Sequence, residues 1–256
     1  NFHGLDLPDH VQEALKQCQP LERIDRIVIY TDGSSQPDHR RRPPARVEEE
    51  GNGDTWAFLV LGEQYVDDST SKINLIGWTA QPVLYNPEAA HYIGSQKVGS
   101  ETAEREAMFW SGTWRLAQNC NIPTHFCTDS STAGRQASGF DSANVADTSF
   151  YNLRAVYQCL EGGLQQGLAV THVRGHSQDP WNDLADILAK QERTKSFYHP
   201  RQDLDMREWS QAFRHFWTQF APDVGLPTFQ GNAFDVRPPK VPQAVQTPQP
   251  VRYHTK

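Results

Sequence analysis

The chain has 256 residues, a formal net charge of −7, and 37% hydrophobic against 21% charged residues, which suits one substantial core with appendages. A mean hydropathy of −0.68 and the lack of any run near the roughly 20 apolar residues of a membrane helix exclude an integral helical membrane protein, and the acidic balance excludes a protein that grips nucleic acid by bulk positive charge alone. Four scattered cysteines, Cys18, Cys120, Cys127 and Cys159, make no disulfide framework and no zinc pair, so reduced thiols in an intracellular setting, cytoplasmic or nuclear, are expected. Asn1 to Leu7 carry no basic-then-apolar signal pattern, and the missing initiator Met marks the chain as an expected fragment.

In chain order, residues 8–17 read as a short helix with Pro in its first turn and Val11, Ala14 and Leu15 on one face. The β-branched run at 26–31 reads as a buried strand, followed by strands at 55–64 and 73–79. Residues 102–117 repeat Ala103, Ala107, Trp110, Trp114 and Ala117 at helical spacing, with Ser100 or Thr102 as the cap. A strand at 124–128, helices at 132–137 and 149–164, a strand at 167–173 and a helix at 180–192 complete the pattern. The order β-β-β-α-β-α-α-β-α predicts an α/β fold: a mixed five-stranded sheet, with an antiparallel meander first and parallel strands added through helices. The expected domains are an N-terminal helical extension at 1–24, a catalytic domain at 25–195, an amphipathic helix within 196–221 and a Pro/Gln-rich disordered tail at 222–256. The amphipathic helix, 206–220, sets Trp209, Phe213, Phe216, Trp217 and Phe220 on one side.

Acids sit at the ends of these elements. Asp32 ends the first strand, Glu104 opens the first long helix, Asp129 ends the fourth strand and Asp186 lies on the last helix. A lone Asp-Gly after a strand is an ordinary turn signal. Two aspartates leaving neighbouring strands at one edge repel unless a cation lies between them, and four carboxylates are a site for hard divalent ions, Mg²⁺ or Mn²⁺. Glu101 and Glu106 rival Glu104. Anchoring on Glu101 turns Glu104 and Arg105 inward, at a cost in buried charge.

These acids, with Val173-Arg-Gly-His176-Ser and Trp181-Asn182-x-x-Ala185-Asp186-x-x-Ala189-Lys190, resemble type 1 ribonuclease H over residues 27–190. The resemblance implies the ribonuclease H-like fold and hydrolysis of the RNA strand of RNA–DNA hybrids with two Mg²⁺ or Mn²⁺ ions. It implies Asp32, Glu104, Asp129 and Asp186 as the metal-holding acids, with Asp183 a rival to Asp186 that the Asn-x-x-Ala-Asp pattern sets aside. His176 matches the family's mobile loop histidine, which helps proton transfer or product release. Gly33, Ser34, Ser130 and Asn182 are candidate substrate contacts, equally explained as turn and cap residues. A reverse transcriptase domain in the same polyprotein is the partner the family's habits suggest.

Three features depart from the family. Residues 139–148 lack the basic protrusion, so hybrid binding is expected to be weak and salt-sensitive. The insertion 36–54 carries Arg40, Arg41, Arg42 and Arg46 before Glu48, Glu49 and Glu50. The insertion 81–98 lengthens the path into the helix of Glu104. The rival readings are a non-catalytic module that keeps the fold for scaffolding, and a related nuclease of the wider superfamily.

Overall fold

The computed structural model describes residues 2, 5–35, 53–89, 91–118, 120–141, 148–164, 167–175, 177–192 and 252–255. Within them the elements are α1 (Asp9–Lys16), β1 (Arg26–Ser34), β2 (Thr55–Tyr65), β3 (Ser71–Pro82), α2 (Ser100–Ala117), β4 (Thr124–Thr128), α3 (Ser131–Ala137), α4 (Thr148–Gly163), β5 (Leu168–His172), α5 (Pro180–Glu192) and β6 (Arg252–Thr255). The sheet order is β3-β2-β1-β4-β5-β6. The β1–β2 and β2–β3 pairs are antiparallel, and the β1–β4, β4–β5 and β5–β6 pairs are parallel. This is the ribonuclease H-like arrangement, with the five expected strands in the expected order.

The sixth strand is a difference. The last part of the Pro/Gln-rich segment, expected to be disordered throughout, pairs with β5 from Ala169↔Arg252 to His172↔Thr255. Arg-Tyr-His-Thr is the stretch near the end that lacks proline, so each residue keeps the N–H a ladder needs. The helix expected at 206–220 and the insertion at 36–52 lie outside the described residues.

Alternation along the strands divides the core in two. Ile27, Ile29, Phe58, Val60, Phe126 and Val170 point to one face, where α2 and α4 cover them with Ala103, Ala107, Met108, Leu153 and Tyr157. Ala57, Leu59 and Leu61 point to the other, where α5 brings Leu184, Ala185 and Leu188, and α1 closes the layer with Val11. The sheet is therefore buried on both faces near its centre, as its parallel half requires. Arg115 was not singled out by sequence and is 2% exposed. It donates to Thr124 Oγ1 (2.6 Å) and to the carbonyls of Cys120 and Ile122 (both 2.9 Å), which holds the turn into β4 against the end of α2.

Candidate metal centre

The pairing of β1 with β4 runs from Ile27↔Thr124 to Thr31↔Thr128. The next residue on each strand is Asp32 and Asp129, so parallel register alone sets these two acids side by side. β1 does not end there: it runs on to Ser34, and Asp32 pairs with Ala57 of β2. Asp32 is thus an interior strand residue, where a terminal one was expected. The extension is possible because β2 continues alongside after β4 has stopped.

Glu104 arrives from above, in the second turn of α2. The approach is close because Gly33 lies beneath it: a Cβ at residue 33 would stand 2.2 Å from the Glu104 nitrogen and 2.5 Å from the Ala103 carbonyl carbon. The Gly33 N–H donates to the Glu104 carboxylate. One oxygen each of Asp32, Glu104 and Asp129 lie within 4.8 Å of one another. Asp32 and Glu104 are buried, at 3% and 9% exposure. Asp129 is half-buried and its carbonyl faces His172 Nε2 at 2.9 Å. Asp186 is outside this group of three but its charge reaches both Asp32 and Glu104. It accepts from Lys190 Nζ at 2.6 Å, an i,i+4 pair on α5.

Burial pushes the Asp32 carboxyl well above the usual carboxylate range, reinforced by the charges of Glu104, Asp129 and Asp186 and eased by Lys190. Burial does the same to Glu104, reinforced by Asp129 and Asp186 and opposed by the Gly33 N–H. Glu104 Oε2 is buried with no hydrogen-bond partner. A buried carboxylate oxygen in that state costs free energy unless something compensates it. Three hard oxygen donors at this spacing, one of them orphaned, fit a Mg²⁺ or Mn²⁺ ion.

The rivals have other partners. Asp183 faces α1, where its carboxylate lies 2.7 Å from His10 Nε2. Glu106 is 1% exposed and accepts from Ser95 Oγ at 2.6 Å. The Glu101 side chain is 61% exposed and accepts from Arg105 at 3.1 Å. Contrary to the expectation that a buried Arg105 goes with the Glu101 register, Arg105 is 7% exposed in the register that does place Glu104 in the cluster. The cost is met because Arg105 donates to Gln136 Oε1 (3.0 Å) and Ser149 Oγ (2.8 Å) as well as to Glu101. The expected cap of α2 is also different. Gly99 occupies that position and no side chain caps the helix; Thr102 Oγ1 instead donates to the Lys97 carbonyl at 2.6 Å.

The candidate substrate contacts are variously engaged. The Gly33 N–H is turned to Glu104, Ser34 is 5% exposed, and Ser130 Oγ accepts from the Ala133 N–H at 3.2 Å as the cap of α3. Asn182 is 2% exposed and its Oδ1 has no partner. His176 lies outside the described residues. Its neighbour Gly175 abuts the cluster, since a Cβ there would stand 3.0 Å from Asp129 Oδ2. Lys190 and Asp54 were not singled out as site residues; only the i,i+4 spacing of Asp186 and Lys190 hinted at the first.

An RNase H-like sheet carrying an acidic cluster where β1 runs on past the end of β4 is the class that fold and site define. No protein-family model matches the chain, and no curated protein does. Among solved structures, the chain is similar to the N-terminal RNase H domain of a Mycobacterium tuberculosis protein, with 15% identity, a TM-score of 0.42, and 68% of this chain and 96% of that one covered. It is similar to RNase H1 of the halophilic archaeon Halobacterium salinarum, with 14% identity, a TM-score of 0.40 and coverage of 65% and 98%. It is also similar to a foamy viral protease-reverse transcriptase in complex with RNA/DNA hybrid, with 15% identity and a TM-score of 0.41; 69% of this chain matches 21% of that one.

Glu104→Gln is expected to weaken Mn²⁺ binding at the acidic cluster by roughly 10-fold or more, whereas Glu101→Gln changes it less than about threefold, as befits an exposed residue whose ion pair contributes little. Parallel Mn²⁺ titrations of the two variants decide this. The reverse ranking would place the wrong glutamate in the cluster.

Proposed function

We propose that this chain is a divalent-metal-dependent endonuclease that hydrolyses the RNA strand of RNA–DNA hybrids. The observation that carries the reading is the meeting of Asp32, Glu104 and Asp129 oxygens within 4.8 Å, two of the three residues buried. Buried carboxyls that perturb one another in this way are concentrated at functional sites. Asp32, Glu104, Asp129 and Asp186 are the residues that would hold the metal. When bound, two divalent ions lower the pKa of the attacking water and offset charge on the phosphate and on the leaving 3′ oxygen.

The protein's own groups do the placing. Asp32 is fixed by its pairing with Ala57 of β2, one residue past the last β1–β4 pair, and Asp129 is held at its carbonyl by His172. Glu104 is aimed by the Gly33 N–H, and Asp186 is tethered by Lys190. His176, one residue past Gly175, is the proposed proton carrier to or from the reacting oxygens. Discrimination for RNA rests on groups that meet 2′-hydroxyls in the wide minor groove. Of the four candidates Asn182 carries a buried acceptor, Oδ1, with no hydrogen-bond partner, while Gly33 and Ser130 already serve the site's own structure. A reverse transcriptase encoded upstream in the same polyprotein is the partner this reading carries.

The test is cleavage of end-labelled substrates by the whole chain in Mg²⁺. Hybrid is expected to be cut within its RNA strand, duplex DNA to be left intact, and EDTA to stop the reaction. Cleavage that persists in EDTA, or equal cutting of double-stranded RNA, defeats the assignment.

A further inference from the structure

Glu104 is positioned by more than the helix that carries it. The segment between β3 and α2, which lies within the insertion noted above, packs inward through Val83, Leu84, Tyr85, Ala89 and Ile93. Along its length it is fastened to the helices beside it. The Asn152 side chain of α4 donates to the Ile93 carbonyl at 2.8 Å, and Ser95 Oγ donates to Glu106 of α2 at 2.6 Å.

Both ends of the segment return to one residue. Asp54, immediately before β2, accepts on its Oδ2 from the Tyr85 hydroxyl and from the Gly99 N–H, the latter at 2.5 Å. Its carbonyl accepts from the Val83 N–H at 2.8 Å. Gly99 is the residue that precedes α2, at φ +149°, a conformation that suits glycine. Asp54 is 2% exposed, and Thr55 beside it pairs with Ser34, next to Gly33. One buried oxygen thus ties the start of α2 to the strand pair under Glu104. A carboxylate placed there costs desolvation, which the two donors offset on Oδ2 and nothing offsets on Oδ1.

We infer that Asp54 is a positioning residue for the acidic cluster: by holding both ends of residues 83–99 it sets where α2 begins, and with it where the Glu104 carboxylate stands relative to Asp32 and Asp129. This rests on reading the cluster as a divalent-cation site. Its role is separable from that reading because it acts on the helix whether or not a cation is present.

The experiment compares the whole wild-type chain with Asp54→Asn and Asp54→Ala, by Mn²⁺ titration followed through electron paramagnetic resonance and by hydrogen exchange at α2 amides 102–106. The Asn carbonyl oxygen can accept from both donors as Oδ2 does, so Asp54→Asn is expected to bind Mn²⁺ within about twofold of wild type. Asp54→Ala removes the acceptor and is expected to weaken binding by about 10-fold, at the lower end of what outer-shell partners contribute, with faster exchange at 102–106. Wild-type Mn²⁺ affinity in Asp54→Ala alongside a lowered melting temperature would reduce Asp54 to a structural residue and overturn the inference. Asp54→Asn as weak as Asp54→Ala overturns it too, since the two hydrogen bonds would then be irrelevant. If Asp54→Ala does not fold, Tyr85→Phe, which deletes one donor, is expected to weaken Mn²⁺ binding several-fold; unchanged affinity counts against the inference. If the wild type binds no Mn²⁺, the cation-site reading fails, and exchange at 102–106 alone decides: faster in Asp54→Ala supports the positioning role and unchanged rejects it.

Discussion

Asp32→Asn is expected to lower hybrid cleavage by roughly 10³-fold or more and, in metal-free buffer, to raise the melting temperature. The two effects have one cause. Asp32 is the most buried of the clustered acids, inside β1 and paired with β2, and it feels Glu104, Asp129 and Asp186 at once. With a cation bound, that density of charge is what holds the ion and what the phosphate meets. Without one it is uncompensated repulsion in a buried site, which an amide of the same shape relieves. A gain of about 1 kcal/mol corresponds to about 2–4 °C for a domain of this size.

The pH dependence of the metal-free wild type follows with a definite sign. Asp32 and Glu104 have carboxyl pKa values raised in the folded state. Their contribution to stability is therefore fully present below about pH 4, where the unfolded carboxylates still hold their protons, and is lost as pH rises through the higher folded values. The metal-free protein should lose stability on going from weakly acidic to neutral pH, and Asp32→Asn should flatten that slope. Thermal melts in EDTA at several pH values, beside cleavage rates in Mg²⁺, read both halves. A variant that lost activity and stability together would show that Asp32 supports the fold and does not strain it.

The strands β1–β5 and the helices of this fold were legible because each is long enough to show its period. Arg26 to Thr31 and Thr124 to Thr128 read as strands from their β-branched and apolar runs, and their parallel register then places Asp32 beside Asp129. Glu104 was legible as well, but one reason given for it was unsound. Burial of Arg105 is costly only if its guanidinium lacks partners, and it is satisfied by Gln136 and Ser149, residues 31 and 44 positions away. No window on the sequence could supply those partners. The same holds for Asp54, whose two donors come from residues 85 and 99, and for Asp183, whose preference for His10 lies 173 positions back. β6 was missed because four residues at the end of a Pro/Gln-rich stretch carry little periodicity. Local pattern reveals which acids a strand or helix carries; long-range hydrogen bonds decide how they are held.

Gly33→Ala is expected to be the most damaging glycine-to-alanine change among the described residues. A Cβ there would stand 2.2 Å from the Glu104 nitrogen and 2.8 Å from its Cα, and both are backbone atoms that no rotamer change can move aside. Relief requires α2 to retreat from β1. The helix is pressed there by Ala103, Ala107 and Met108, all fully buried, and by the segment that Asp54 fastens behind it. Overpacking of a tight core costs about 1–3 kcal/mol and occasionally more, and a clash with helix backbone belongs at the upper end, about 3 kcal/mol. That corresponds to a fall of roughly 6–12 °C in melting temperature. Activity should fall further than stability alone explains, because the retreat lengthens the hydrogen bond from the residue 33 N–H to Glu104 and carries that carboxylate away from Asp32 and Asp129. Gly77→Ala is the matched control: a Cβ at residue 77 meets nothing within 4 Å, so its melting temperature and cleavage rate should stay near wild type. Measured at a temperature where both variants are fully folded, a Gly33→Ala protein with wild-type turnover would mean that contact of α2 with β1 does not set the geometry of the acidic cluster.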